Sequence, residues 1–314
     1  MDERGFTYSG SGVDVGRGDE FSAFISGGAL PGWVKRDRAG YASILELPSS
    51  KLVVSADGVG SKMMLHRLHK RWRDAALDLV AMNYNDVVAA GGKPIAFMDY
   101  LGVGRIDRDL YDFASALKEV LSEVGVALVG GETAEMPDLY GDEMEAVGFC
   151  IGVLCRPMEV GRVLEGDVIL ALPSSGFHSN GFSLIRRLLR EKGISLGDLP
   201  FDLLVGTRIY SELPRAFDFV KACAHVTGGG LIRALRRILG EDRGYVLEFE
   251  LRDEFRWILN WVEEEEALST FNMGLGMLMF VDRTLMRKVM SVLPDVMVVG
   301  RVTSESTLRK ISLL

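Results

Sequence analysis

Ser55-Ala56-Asp57-Gly58-Val59-Gly60-Ser61-Lys62 is the stretch from which the rest of the chain can be read. The apolar run that leads into it, residues 51–56, has the length and β-branched content of a buried strand. The strand ends in an acid, Asp57. Gly58 and Gly60 then let the backbone turn tightly and approach a ligand closely, and Lys62 closes the segment. A carboxylate for a divalent cation, a bare backbone turn and a cation for phosphate oxygens are the parts of a nucleoside triphosphate site. The spacing is not that of a Walker A loop, Gly-x-x-x-x-Gly-Lys-Ser/Thr. An ordinary strand-to-helix turn with a solvated lysine fits the octapeptide equally well, so the reading depends on what surrounds it.

Composition narrows the surroundings. A chain of 314 residues, 48% hydrophobic and 25% charged, is globular and long enough for about two domains. Forty-four acidic against 36 basic residues give a net charge of −8, which argues against general nucleic-acid or anionic-membrane binding and makes any phosphate site a local one. Cys150, Cys155 and Cys223 form no Cys-x-x-Cys pair, as expected in a reducing cytoplasm. His66 and His69 have no cysteine or third histidine nearby to complete a zinc set and read as helix surface. The start, Met1-Asp2-Glu3-Arg4-Gly5, lacks the basic and apolar regions of a signal peptide, and no stretch reaches the 18 apolar residues of a membrane span. The expectation is a cytoplasmic protein.

Periodicity gives a coarse organisation. Residues 6–30, rich in Gly and Ser, read as an extended arm. Residues 42–47 and 51–56 read as a hairpin around Pro48-Ser49-Ser50. A helix is expected over 74–90 with Gly91-Gly92 as its stop, and strands over 95–103, 127–129 and 146–155. Asp107 is placed to cap a helix with the apolar face Leu110, Phe113, Leu117, Val120 and Leu121, with Ile106 and Tyr111 as a hydrophobic staple. A boundary near Arg156-Pro157 divides the chain into domains 1–156 and 157–314. In the second half, strands are expected near 168–172, 246–250, 274–281 and 296–303, and helices at about 180–192, 207–221, 228–239 and 284–293. The acidic run Glu263 to Glu266 reads as a solvated helix end. The fold class is α/β (α+β).

Several stretches carry chemistry. Asn83, Asn85 and Asp86 crowd an otherwise apolar helix. Burying such groups unpartnered costs ~2 kcal/mol each, so either they meet solvent or Asp86 joins Asp57 on a magnesium ion. Gly130-Gly131-Glu132-Thr133 follows a strand and reads as a strand-end ligand site or as a tight turn with a cap. Ser175-Gly176-Phe177-His178-Ser179-Asn180-Gly181 runs into a helix start, where free N–H groups suit a phosphate and His178 suits hydrogen bonding or proton transfer; a satisfied turn is the alternative. His225-Val226-Thr227-Gly228-Gly229-Gly230 is a similar loop. Arg208 offers a guanidinium, and Phe271-Asn272-Met273-Gly274-Leu275-Gly276 implies a bulge or close backbone approach; for Arg208 and Asn272 a structural role weighs as much as a functional one.

In this order, together with Tyr8 and Gly12-Val13-Asp14, these motifs closely resemble the phosphoribosylformylglycinamidine cyclo-ligase (aminoimidazole ribonucleotide synthetase) family over nearly the whole chain. The resemblance implies two α/β domains, the N-terminal ones pairing into a dimeric β-barrel, and hence a homodimer. It implies ATP-dependent closure of the imidazole ring of formylglycinamidine ribonucleotide in purine biosynthesis, by phosphorylation of the formyl amide oxygen. It further implies Asp57 and Asp86 as magnesium ligands, with Gly58, Gly60, Asn85, Gly130, Gly131, Glu132 and Thr133 around ATP. Lys62 would neutralise the transferred phosphoryl group, with His178 and His225 near the reacting centre. Ser175, Gly176, Ser179, Asn180 and Arg208 would hold the ribonucleotide. Two departures stand out: the family's glycine-rich loop is reduced here to residues 39–45, and Gly206 stands where a proline is usual. Another ATP-dependent, kinase-like member of the superfamily and a non-catalytic nucleotide-binding dimer are the competing readings.

Overall fold

The computed structural model describes residues 5–27, 29–37 and 39–314, so the Met1-Asp2-Glu3-Arg4 start lies outside the described residues. Two six-stranded mixed sheets organise the chain. The first contains β1 (Val34–Arg36), β2 (Ser43–Glu46), β3 (Lys51–Gly58), β4 (Gly92–Val103), β5 (Ala127–Glu135) and β6 (Met144–Leu154), in the order β1-β2-β3-β6-β4-β5. The second contains β7 (Val168–Pro173), β8 (Ala222–His225), β9 (Gly244–Phe249), β10 (Leu275–Val281), β11 (Met297–Thr303) and β12 (Arg309–Leu313), in the order β12-β9-β11-β7-β10-β8. Among the described residues only β4 with β5 and β12 with β9 pair in parallel, and the other pairings are antiparallel.

The helices are α1 (Val15–Ser26), α2 (Lys62–His69), α3 (Trp72–Ala89), α4 (Arg108–Glu123), α5 (Pro137–Tyr140), α6 (Phe182–Lys192), α7 (Gly230–Leu239), α8 (Asp253–Ile258), α9 (Glu264–Thr270) and α10 (Met286–Val292). The hairpin appears as read, and Asp107 caps α4 by accepting from Leu110 N–H at 3.2 Å. The staple does not form: Ile106 and Tyr111 are 49% and 65% exposed. The acidic run is the N-cap and first turn of α9, where carboxylates favour the positive end of the helix.

Residues 6–30 are not simply an extended arm. They form a short 3-10 turn, Ser9–Ser11, and α1, which Asp14 caps by accepting from Arg17 N–H. The start of this segment is docked, with Gly5 bridged to Val262 and Tyr8 N–H donating to Glu266 at 2.6 Å.

Residues 207–221 hold no α-helix, only the 3-10 turn Leu213–Phe219 preceded by an extended strap. The reason lies in where the strap's hydrogen bonds go. Gly206 N–H donates to Asp74, Thr207 N–H to Asp78 and Tyr210 N–H to Asn85, and the Arg208 carbonyl accepts from Asn85. Asp74, Asp78 and Asn85 all lie on α3, so helix side chains satisfy backbone groups that an α-helix would have used internally. Gly206 is needed for this close approach, since a Cβ there would lie 2.6 Å from Leu77 Cβ and 3.1 Å from the Asp74 carbonyl. Gly206→Ala is expected to lift the strap off α3 and cost about 1–3 kcal/mol, read from urea unfolding.

Candidate active site

The site is built where β3 runs out against α3 and β8. Asn83, buried in the middle of α3, donates to the Asp57 carbonyl at 3.1 Å and accepts from Asp57 N–H at 2.8 Å, fixing the end of β3. Gly148 gives the Asn83 amide its room, since a Cβ there would sit 2.5 Å from it. The Asp57 carboxylate accepts from Gly58 N–H at 2.8 Å, and Gly60 takes the left-handed φ of 69° that turns the chain into α2. Burial, then the Asp86 charge, push the Asp57 carboxyl up to about 6.

Asp86 comes from α3. His225, at the end of β8, lies 2.8 Å from it through Nδ1, and Ser55 Oγ lies at 3.4 Å. The Nε2 of His225 is 3.4 Å from the Asn85 amide, so both ring nitrogens are engaged within the chain, and the residue is 1% exposed. The sequence expectation placed His225 at the reacting centre; the geometry makes it a positioning residue for Asp86. Asn85, expected around ATP, is fully buried and holds the strap.

Lys62, expected beside the transferred phosphoryl group, is engaged within the chain. It is fully buried, with Nζ 2.9 Å from Asp78 Oδ2 and 2.8 Å from the Val205 carbonyl, and over the Phe182 ring. His66, read as helix surface, lies buried on the same carboxylate at 2.6 Å, and the Thr207 hydroxyl donates to it at 2.6 Å. This ammonium is spent on a buried network between the two sheet layers. His178 is fully buried with φ 59°, and its Nε2 accepts from Ser175 N–H at 3.2 Å, so it ties the 175–181 loop together. Burial, then the charges of His225 and Lys62, hold it well below the usual histidine range and therefore neutral near pH 7.

Ser175 Oγ donates to the Gly206 carbonyl and Ser179 Oγ meets Thr207, while Gly176 is buried with its carbonyl accepting from Asn272. Asn272 also accepts from Ser174 and Gly274 N–H, a structural role. Arg208, expected to hold the ribonucleotide, pairs through Nη2 with Glu212 at 2.7 Å and Asp295 at 3.2 Å. Asn180 keeps a buried Nδ2 without a partner among the described residues. The expected bulge is present at Leu275/Met277, and a Cβ on Gly276 would collide with Tyr210 Oη at 1.8 Å.

Gly130, Gly131, Glu132 and Thr133 do not follow a strand; they lie within β5, at the exposed edge of the sheet. Asp57, Gly148, Asp99 and Gly131 form one row across β3, β6, β4 and β5. Three strand spacings, about 14 Å, therefore separate Asp57 from Gly131. Gly131 admits the Asp99 carboxylate, whose Oδ1 would lie 2.0 Å from a Cβ. Sequence reading missed Asn83, Asp78, His66 and Ser55 as site builders; the polar cluster on α3 was the available signal.

The Asp57 and Asp86 carboxylates are oxygen donors of the kind a magnesium ion takes, and the Asp86 charge that raises the Asp57 carboxyl is one that a cation would offset. Among the described residues no group of three or more His, Cys, Asp or Glu side chains is arranged to hold a metal unaided.

Comparison with known proteins agrees with the fold and narrows the chemistry. Residues 39–154 match the family described as AIR synthase related protein, N-terminal domain, and residues 165–311 match its C-terminal domain. The chain is 37% identical over 300 residues to a phosphoribosylformylglycinamidine cyclo-ligase, chloroplastic/mitochondrial, of Vigna unguiculata, covering 88% of this chain and 75% of that protein. It is 35% identical to the phosphoribosylformylglycinamidine cyclo-ligase of Methanosarcina acetivorans, covering 90% of each. Among solved structures, AaThiL complexed with AMPPCP and TMP shares the fold with a TM-score of 0.62 at 14% identity, covering 96% of this chain and 93% of that one.

Proposed function

The chain belongs to the AIR synthase family, and on that footing we propose that it closes the imidazole ring of formylglycinamidine ribonucleotide at the expense of ATP, yielding 5-aminoimidazole ribonucleotide, ADP and phosphate. The observation that carries the reading is the convergence of Asp57, Asp86 and His225 at the end of β3. An ATP-binding fold neighbour, solved with AMPPCP, supports the nucleotide.

The chemistry follows in two transfers. The formyl amide oxygen takes the γ-phosphoryl group as the bond to ADP breaks. A nitrogen of the same molecule then attacks the activated carbon, the carbon–oxygen bond breaks, phosphate leaves and the nitrogen loses a proton. Confining both ends in one site makes the second step intramolecular. A magnesium ion, held by Asp57 and Asp86, would supply charge neutralisation for the phosphoryl groups. His225 and Ser55 hold the Asp86 carboxylate in place, and Asn83 holds the end of β3. Lys62 has no part in the transfer in this arrangement.

A homodimer belongs to the same proposal. Met98 on β4 pairs with Phe149 on β6, and they stay 36% and 38% exposed beside Ile95 and Val153. These are central strands of their sheet, and an open apolar face at a sheet's centre calls for a cover. The boundary of the two domains is proposed at residues 156–157. Among the described residues no helix is long and apolar enough to cross a membrane.

The test is phosphate release from Mg-ATP with and without formylglycinamidine ribonucleotide, together with detection of the imidazole product. One imidazole per phosphate is expected. Release that ignores this substrate but follows another phosphorylated acceptor would favour a kinase-like activity of the superfamily instead.

A further inference from the structure

Ser183, Arg186, Arg187 and Arg190 stand at i, i+3, i+4 and i+7 of α6 and therefore share one face of it. The opposite face, Phe182, Ile185, Leu188 and Leu189, is buried. The face gathers three cations in a chain of net charge −8, Arg186 and Arg187 at mid-helix and Arg190 in the last turn, with no acid in the first turn. Like charges at these spacings repel. Only Arg187 is relieved, by Glu191 at 2.7 Å. Arg186 and Arg190 make no ion pair or side-chain hydrogen bond among the described residues.

Over this face the docked N-terminal segment leaves a cavity of about 410 Å³, lined by Gly10, Ser11, Ser183, Arg186, Arg187 and Arg190 and by no acidic residue. The cavity neighbours the site above through Ser183, whose Oγ lies 3.2 Å from the Ser61 hydroxyl, four residues beyond Asp57. The 175–181 loop, which the motif pattern nominated for the ribonucleotide phosphate, has meanwhile spent Ser175, Ser179 and His178 on internal hydrogen bonds.

We infer that Arg186, Arg190 and Ser183 bind the 5′-phosphate of the ribonucleotide substrate, with Gly10 and Ser11 of the N-terminal segment closing over it. A phosphate dianion supplies the charge that two unpaired guanidiniums lack, and their planar forks suit its oxygens. This assignment rests on the proposed function and names the subsite that recognises the non-reacting end of its substrate.

Arg186→Gln and Arg190→Gln in the full-length protein test it, since glutamine keeps nearly the helix propensity of arginine. Each is expected to raise the KM for formylglycinamidine ribonucleotide about 30-fold, with kcat and the KM for ATP within about twofold of wild type. In calorimetric titration, ribose 5-phosphate binds the wild-type protein and each substitution weakens it by a similar factor. Unchanged substrate KM, or a rise in the KM for ATP in its place, overturns the inference while leaving the cyclo-ligase reading intact. If the wild-type protein turns over no formylglycinamidine ribonucleotide, the function falls, and the titration still decides the subsite. Ribose 5-phosphate that fails to bind wild type, or binds the variants equally well, removes it.

Discussion

Asp78→Ala is expected to destabilise the protein by about 3–5 kcal/mol, the range for removing one partner of a buried ion pair. Asp78 is fully buried and accepts from Lys62, His66, Thr207 N–H and Thr207 Oγ1. Without it, the Lys62 ammonium keeps only the Val205 carbonyl, and burial, which already draws this lysine below its usual range, would strip its proton. The strap would lose both Thr207 hydrogen bonds to α3 at the same time, keeping those of Gly206 to Asp74 and of Tyr210 to Asn85. Urea unfolding at pH 7 gives the number, and a loss under about 1 kcal/mol would mean the network is idle.

Acid titration separates this account from simple loss of packing. Burial works to raise the Asp78 carboxyl, but the Lys62 charge and the His66 and Thr207 hydrogen bonds prevail and hold it at about 2, against 3.8 for the free group. Its folded value is depressed, so its contribution is present above about pH 4 and lost as pH falls from about 4 toward 2. That difference corresponds to about 2–3 kcal/mol of stability in the wild-type protein, and the alanine variant should lack that segment of the pH profile.

Asp57→Asn is expected to reduce Mg-ATP turnover on the order of 10³-fold without lowering the thermal midpoint. The two halves of this expectation have one cause. Burial and the Asp86 charge raise the Asp57 carboxyl to about 6, so its ionised form costs stability, a cost that appears as pH rises from about 4 through 6 and is complete above that. A cation offsets it, and so does the neutral amide of asparagine, while only the carboxylate can hold the cation. Magnesium should accordingly raise the melting temperature of the wild-type protein with nucleotide and leave the variant's unchanged. Turnover within tenfold of wild type would remove Asp57 from the site; a lowered midpoint would make it a structural residue.

How much of this was legible in the chain depends on how local each signal is. The hairpin, the strands around residues 95–103, 146–155 and 274–281, and the Asp107 cap rest on short apolar runs and on neighbours within a few residues, and they appear in the structure. The helix expected over 207–221 failed at its start because the hydrogen-bond partners of the strap there, Asp74, Asp78 and Asn85, lie more than a hundred residues away in sequence. The polar cluster on α3 was visible as an anomaly, but Asn83 turned to β3, Asn85 to the strap and Asp86 to His225. Residues one helical turn apart or less had three different destinations.

The sequence by itself determined the family and the α/β class, because a short ordered set of motifs and alternating strand and helix periods need no tertiary information. Only the tertiary structure decided which charges are free to meet a ligand. Lys62, His66, His178 and Arg208 are as polar in sequence as Arg186 and Arg190, yet the first four find partners across the chain and the last two find none among the described residues. Charge belongs to a residue type, whereas availability depends on burial and on partners brought together from distant positions, and the fold alone sets those.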